Sequence, residues 1–167
     1  FLFCSSNKNL QGMAGVSIVV GKKKSLESIK EYKNKSYYLD LYSQYKYLDE
    51  NNQTRFTPPV QSIYALRQAI NELKKETING RYSRYKKIWK KIRIEMERLN
   101  FKTFFNDNLQ SKIITLYNLP LNIEFNDLHD YLYDFGITIY PSKLNNNSFR
   151  IANIGELNHD DITFFIR

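Results

Sequence analysis

The sequence predicts an α/β chain: strand, loop, strand and helices in its first part, then a smaller α+β layer. Three observations carry that reading. Two short β-branched or aromatic runs flank a glycine-containing loop near the start, a Pro-Pro pair opens an amphipathic helix, and helix and strand patterns alternate after Gly80. At 42% hydrophobic and 15% aromatic over 167 residues, the chain can bury a core and is not a disordered or fibrous sequence.

Phe1 to Cys4 and Val16 to Val20 have strand length and composition, with the polar stretch Ser5 to Gly15 between them. Ser25 to Lys30 is a short helix candidate with Ser25 as its N-cap. Leu39 to Leu48 is a further helix candidate within a region rich in Tyr, Lys and Asn. Pro58-Pro59 then starts a helix, because a missing N–H costs nothing in a first turn; Val60, Ile63, Tyr64, Ala69, Ile70 and Leu73 are its stripe, and Asn79-Gly80 ends it.

The next helix has the strongest periodicity. Tyr82, Tyr85, Trp89, Ile92, Met96 and Leu99 advance by alternating steps of three and four, which places them on one face. Phe101 to Phe104 and Ile113 to Tyr117 follow as strands. Glu124 to Phe135 is a helix, and Thr138 to Tyr140 and Phe149 to Ile154 are strands around an Asn-rich turn. A last helix begins near Asn158, with Asp160 and Asp161 at the positive end of its dipole. A domain boundary is placed at Gly80, giving segments 1–79 and 80–167.

Lys and Arg number 25 against 17 Asp and Glu, a net charge of +8. The Arg81 to Arg98 helix holds eight basic and two acidic residues. That density raises a nucleic-acid surface as one reading, but the aromatics share the face of Ile92 and Met96, so the basic residues read as a solvated face and no nucleic-acid partner is expected. One cysteine excludes an intramolecular disulfide framework and a cysteine zinc cage. With two histidines, His129 and His159, no metal site is expected. Cys4 reads as a buried structural thiol. No apolar run approaches the roughly 18 residues of a spanning helix, so no membrane partner is expected. Both termini read as internal to something longer.

The stretch Ser5-Ser6-Asn7-Lys8-Asn9-Leu10-Gln11-Gly12-Met13-Ala14-Gly15 carries the candidate chemistry. A lysine just past a strand end, among small hydroxyl and amide residues and followed by two glycines, suits a Schiff-base lysine. The same pattern also fits an ordinary solvated loop lysine.

This segment resembles the cofactor-lysine segment of the class V aminotransferases of fold type I, and among them most the 2-aminoethylphosphonate–pyruvate transaminases. Arg55-Phe56-Thr57-Pro58-Pro59, Gly136-Ile137-Thr138-Ile139-Tyr140-Pro141-Ser142-Lys143, and Phe149-Arg150-Ile151-Ala152-Asn153-Ile154-Gly155-Glu156 agree in the same order, as does Leu39-Asp40-Leu41-Tyr42. The resemblance implies the C-terminal part of the fold type I large domain, followed by a small α+β domain. It also implies pyridoxal 5'-phosphate as cofactor and a cytoplasmic homodimer acting on 2-aminoethylphosphonate and pyruvate. An alanine–glyoxylate or serine–pyruvate transaminase is the alternative.

Position by position, the resemblance implies that Lys8 holds the cofactor and moves the substrate proton, and that Thr57 contacts the cofactor phosphate of the neighbouring subunit. Asn7 and Ser5 would help hold the phosphate, and Arg150 would clamp the substrate anion. An arginine on a strand between Phe149 and Ile151 alternates to the face opposite them, and its planar fork matches a carboxylate or phosphonate oxygen pair. Ser6, Ala14, Ser142 and Ala152 stand where the family usually has Ala, Pro, Gly and Gly; the methyl of Ala152 is expected to narrow the anion pocket. In this fold the carboxylate that pairs the cofactor ring nitrogen lies before the lysine. The 167 residues alone are therefore expected not to bind the cofactor tightly.

Overall fold

The computed structural model describes residues 1–166 and divides them into two compact units, one from Phe1 to Glu72 and one from Leu73 onward. The division falls within a helix rather than at Gly80. Glu76, in that helix's last turn, makes its ion pairs with Arg81 and Arg84 of the second unit.

In the first unit, β1 (Leu2–Ser5) and β2 (Ser17–Val20) form an antiparallel ribbon in which Cys4 faces Ile18 and Ser5 faces Ser17. Phe1, Leu2, Phe3 and Val20 are exposed, and so is Cys4; the reading of Cys4 as a buried thiol is corrected. A two-stranded ribbon has no second layer among the described residues to cover it.

Helix α1 (Lys23–Ser28) starts before the expected cap. Lys22 is its N-cap, and Ser25 lies inside the helix with its N–H donating to the Lys22 carbonyl at 2.9 Å. A 3-10 turn, Ile29–Glu31, follows. Helix α2 (Leu41–Asn51) is capped by Asp40, whose side chain accepts from the Ser43 N–H, and ends at Asn52 in the left-handed conformation.

Helix α3 (Val60–Glu76) begins directly after the two prolines. It ends earlier than Asn79-Gly80 suggested, because Thr77 starts a new helix. At φ +68° Thr77 turns the chain, and its Oγ1 accepts from the Gly80 N–H at 3.1 Å. Asn79 and Gly80 therefore sit in the first turn of α4 (Ile78–Arg98).

The second unit is a three-stranded antiparallel sheet in the order β3-β5-β4, formed by Ile114–Asn118, Ser148–Ala152 and Tyr140–Pro141. Phe101 to Phe104 contributes only an isolated bridge between Thr103 and Tyr117. Helices α5 (Phe125–Asp134) and α6 (His159–Ile166) complete it. The Asn158 side chain accepts from the N–H groups of Asp160 and Asp161 while Asp161 accepts from the Asn158 N–H, a reciprocal cap for α6.

Thr115, Tyr117, Phe149 and Ile151 point to one face of the sheet and are buried. Tyr117, Phe149 and Ile151 pack with Ile88, Ile92 and Met96 of α4 and with Ile162 of α6. The buried stripe of α4 also differs from the expected one. It runs through Arg81, Tyr85, Ile88, Trp89, Ile92 and Met96, whereas Tyr82 and Leu99 are 52% and 59% exposed. Tyr85, Trp89, Ile92 and Met96 keep the expected face, and the difference lies at its ends and at Ile88; Arg81 can be buried at one end because it meets the Glu76 carboxylate at 2.7 Å.

Candidate active site

Lys8 sits on the loop that joins β1 to β2. The Ser6 N–H donates to the Val16 carbonyl at 3.0 Å, the Gly12 N–H to the Ser6 carbonyl at 2.8 Å, and the Gln11 N–H to the Lys8 carbonyl at 2.8 Å. Ser6 is fully buried, and its hydroxyl donates to the Met13 carbonyl. The residue standing where the family has alanine thus ties the two sides of the loop together.

Glycine is favoured twice on the return path, by close approach at Gly12 and by backbone conformation at Gly15. A Cβ at Gly12 would lie 3.1 Å from the Ser6 carbonyl oxygen and 3.4 Å from Cα of Leu66, and Gly15 has φ +114°. The Ser62 hydroxyl of α3 donates to the Ala14 carbonyl at 3.2 Å. The outcome is a closed loop laid against α3, with Asn7 and Lys8 exposed at its tip and Ser5 half-buried at its base. Among the described residues Lys8 makes no ion pair.

Thr57 precedes the same helix. It is exposed and borders an open depression shared with Gln53, Thr54, Arg55, Phe56 and Pro58. Its segment is fixed by Arg55. That guanidinium stacks on Tyr37 and Phe56 at 4.6 and 5.2 Å, donates to the Tyr37 carbonyl at 3.3 Å, and lies 3.9 Å from Asp40. Hydrogen bonds from Ser43 hold the Asp40 carboxyl below its usual range. Two sequence segments singled out separately, around Asp40 and around Thr57, therefore meet.

Arg150 belongs to the second unit. It stands on β5, the central strand, opposite Leu116 on one side and Tyr140 on the other. As the alternation required, it points away from the core face. Its Nε donates to the Pro141 carbonyl at 2.9 Å, and its guanidinium lies 6.0 Å from the Tyr140 ring. Among the described residues Arg150 makes no ion pair, so the ends of its fork are not engaged by a carboxylate. It lines a depression of about 250 Å³ together with Phe105, Leu109, Ser111, Lys143 and Leu144. Ala152 is exposed on the same strand and does not line this depression.

Two features of the second unit escaped the sequence reading. Asn153 is buried, and its amide donates to the Tyr85 carbonyl at 3.2 Å and the Lys112 carbonyl at 3.0 Å, tying the end of β5 to α4. Lys143 shares the Arg150 depression. It closes the Tyr140-Pro141-Ser142-Lys143 stretch that carried the family resemblance, but no role was attached to it there; its place follows from the pairing of Tyr140 and Pro141 with Arg150 and Phe149. Among the described residues no group of three or more His, Cys, Asp or Glu is placed to hold a metal ion. No helix among them is long and apolar enough to cross a membrane.

Residues 1–140 match the class-V aminotransferase family. Over 97% of its length the chain is 40% identical to a bifunctional phosphonoacetaldehyde hydrolase/aminoethylphosphonate transaminase of Clostridioides difficile, covering 26% of that protein. It is 38% identical, again over 97%, to a 2-aminoethylphosphonate–pyruvate transaminase of Bacillus cereus, covering 45% of it. The chain thus spans less than half the length of these relatives. In fold, 98% of it superimposes on 45% of an alanine–glyoxylate aminotransferase from Nostoc sp., with a TM-score of 0.88 at 18% identity. It also superimposes on 44% of a ureidoglycine–glyoxylate aminotransferase from Bacillus subtilis, with a TM-score of 0.82 at 20% identity. An α/β architecture, a lysine on a glycine-closed loop and a family match over most of the sequence agree: the chain belongs to the class-V aminotransferases.

Proposed function

We propose that the protein carrying this chain is a pyridoxal-phosphate-dependent transaminase that moves the amino group of 2-aminoethylphosphonate to pyruvate, giving phosphonoacetaldehyde and alanine. The observation that carries the proposal is the Lys8 amine. It is presented on a loop that hydrogen bonds hold closed and that packs closely on α3 at Gly12. An exposed primary amine on a fixed loop, with a hydroxyl and an amide residue at nearby positions 5 and 7, fits a phosphate-bearing aldehyde.

The cofactor, when bound, supplies the electron sink that lets a carbon–hydrogen bond break next to the amino nitrogen. The chain's own residues do the rest. Lys8 Nζ anchors the cofactor and, once released, carries a proton taken from the donor's amino-bearing carbon. Ser5 and Asn7 hydrogen-bond the phosphate. Thr57, with the N–H groups that open α3, binds the phosphate of the neighbouring subunit's cofactor, so the active protein is a homodimer. Arg150 holds the phosphonate of the donor in one half-reaction and the carboxylate of pyruvate in the other, through two parallel N–H bonds. The exposed thiol of Cys4 suits a reducing compartment, in line with a cytoplasmic enzyme.

The test is borohydride reduction of the full-length protein followed by peptide mapping, combined with amino-donor profiling. A label on Lys8 and turnover of aminoethylphosphonate with pyruvate are expected. A label on another residue would remove the Lys8 assignment. Indifference to aminoethylphosphonate, with turnover of alanine and glyoxylate, would move the protein to a related class V activity.

A further inference from the structure

The Arg150 depression is bordered by a second basic residue, the exposed Lys143. Lys143 lies on the turn after β4, and that turn is built rather than loose. The Ser142 N–H donates to the Ser148 carbonyl at 3.0 Å, and the Ser142 hydroxyl accepts from the Leu144 N–H at 2.9 Å. Arg150 in turn reaches back to Pro141, two residues before Lys143, through its Nε. Lys143, on the turn that leaves β4, and Arg150, on the β5 strand paired with it, therefore border one depression, and no carboxylate among the described residues lines it. Phe105, Leu109 and Leu144, all solvent-exposed, give that depression an apolar border beside the two basic side chains.

We propose that Lys143 is a specificity-determining residue, the second arm of the anion site, and that it makes the site prefer a phosphonate to a carboxylate. This rests on the transaminase reading above. The reason is oxygen count and charge. A carboxylate has two oxygens, and the Arg150 fork engages both. A phosphonate has three oxygens and a charge approaching −2 near neutrality, so one oxygen remains for an ammonium group. Lysine suits that role: it is a compact point charge on a flexible stem, able to follow the ligand where a planar guanidinium could not. Ser142, in place of the family's usual glycine, adds the hydroxyl that shapes the turn presenting Lys143.

The test uses the full-length protein with its cofactor and the variants Lys143→Met and Lys143→Arg. In Lys143→Met the KM for aminoethylphosphonate should rise about tenfold, the worth of one charge-assisted hydrogen bond, while the KM for pyruvate moves by less than about twofold. Lys143→Arg should retain most of the wild-type KM. Titration calorimetry with methylphosphonate and with acetate reads the anion site without turnover; Lys143→Met should weaken methylphosphonate alone. Equal weakening of both anions, or of neither, overturns the proposal. If the wild-type protein does not turn over aminoethylphosphonate but methylphosphonate binding still depends on Lys143, the substrate reading falls and the anion site stands.

Discussion

Arg84 Nη1 donates to the carbonyl oxygen of Gly155 at 2.7 Å, across 71 positions of sequence. Through this bond and the Asn153 bridge, the segment that follows Arg150's strand is fixed to α4. The same guanidinium meets Glu76 at 2.7 Å, and Arg81 meets that carboxylate from the other side at 2.7 Å.

Replacing Glu76 with Gln takes the carboxylate from two largely buried guanidinium groups, and denaturant unfolding should show a loss of about 2 kcal/mol. The Arg84 hydrogen bond, with help from Arg81, holds the Glu76 carboxyl below its usual range. A depressed carboxyl contributes stability that is present above its unfolded-state pKa and lost as pH falls through the folded one. The wild-type protein should therefore weaken on acidification below the ordinary glutamate range. Glu76→Gln should weaken less steeply there; an unchanged acid limb would count against this network.

Trp89 and Thr115 make a second prediction. The indole Nε1 donates to Thr115 Oγ1 at 2.9 Å, both groups being buried. Thr115→Val keeps the shape and removes the acceptor, so it should cost about 1–3 kcal/mol. Trp89→Phe made in that background should cost less than Trp89→Phe alone, because the orphaned N–H disappears with it. Strict additivity in the double-mutant cycle would contradict the bond.

Tyr117 behaves oppositely. It is wholly buried, and among the described residues its hydroxyl has no hydrogen-bond partner. Burial pushes its pKa up to about 12. A raised acid contributes stability that is full below its unfolded pKa and lost as pH rises through the folded one. Alkaline unfolding should thus begin above about pH 10, the ordinary tyrosine value. Tyr117→Phe should unfold less steeply with rising pH and change stability near neutrality by less than about 1 kcal/mol, since no hydrogen bond is removed.

Gly15→Ala tests the loop that carries Lys8. The residue adopts φ +114°, and a methyl there would lie 3.3 Å from the Ser62 hydroxyl. A loss of about 1–2 kcal/mol is expected in thermal unfolding. Pairing it with Ser62→Ala should recover only the part due to the contact, because the backbone strain remains. Full recovery would show that φ is not the obstacle.

Much of the fold was legible because it rests on local rules. Pro58-Pro59 ahead of an amphipathic stripe suited a helix start, the spacing of Tyr85, Trp89, Ile92 and Met96 matched one helix face, and the alternation around Arg150 placed its side chain away from Phe149 and Ile151. The order of the Lys8, Thr57 and Arg150 segments carried the family. Tertiary structure decided what depends on partners distant in sequence. Arg81 joined the buried stripe of α4 because Glu76 was there to meet its charge, and Tyr82 was left outside. Thr77, rather than Asn79-Gly80, separated two helices because its hydroxyl caps the second. Cys4 remained exposed because no layer among the described residues covers its ribbon. Lys143 joined Arg150 because β4 and β5 pair, a register that no stretch of either segment encodes alone.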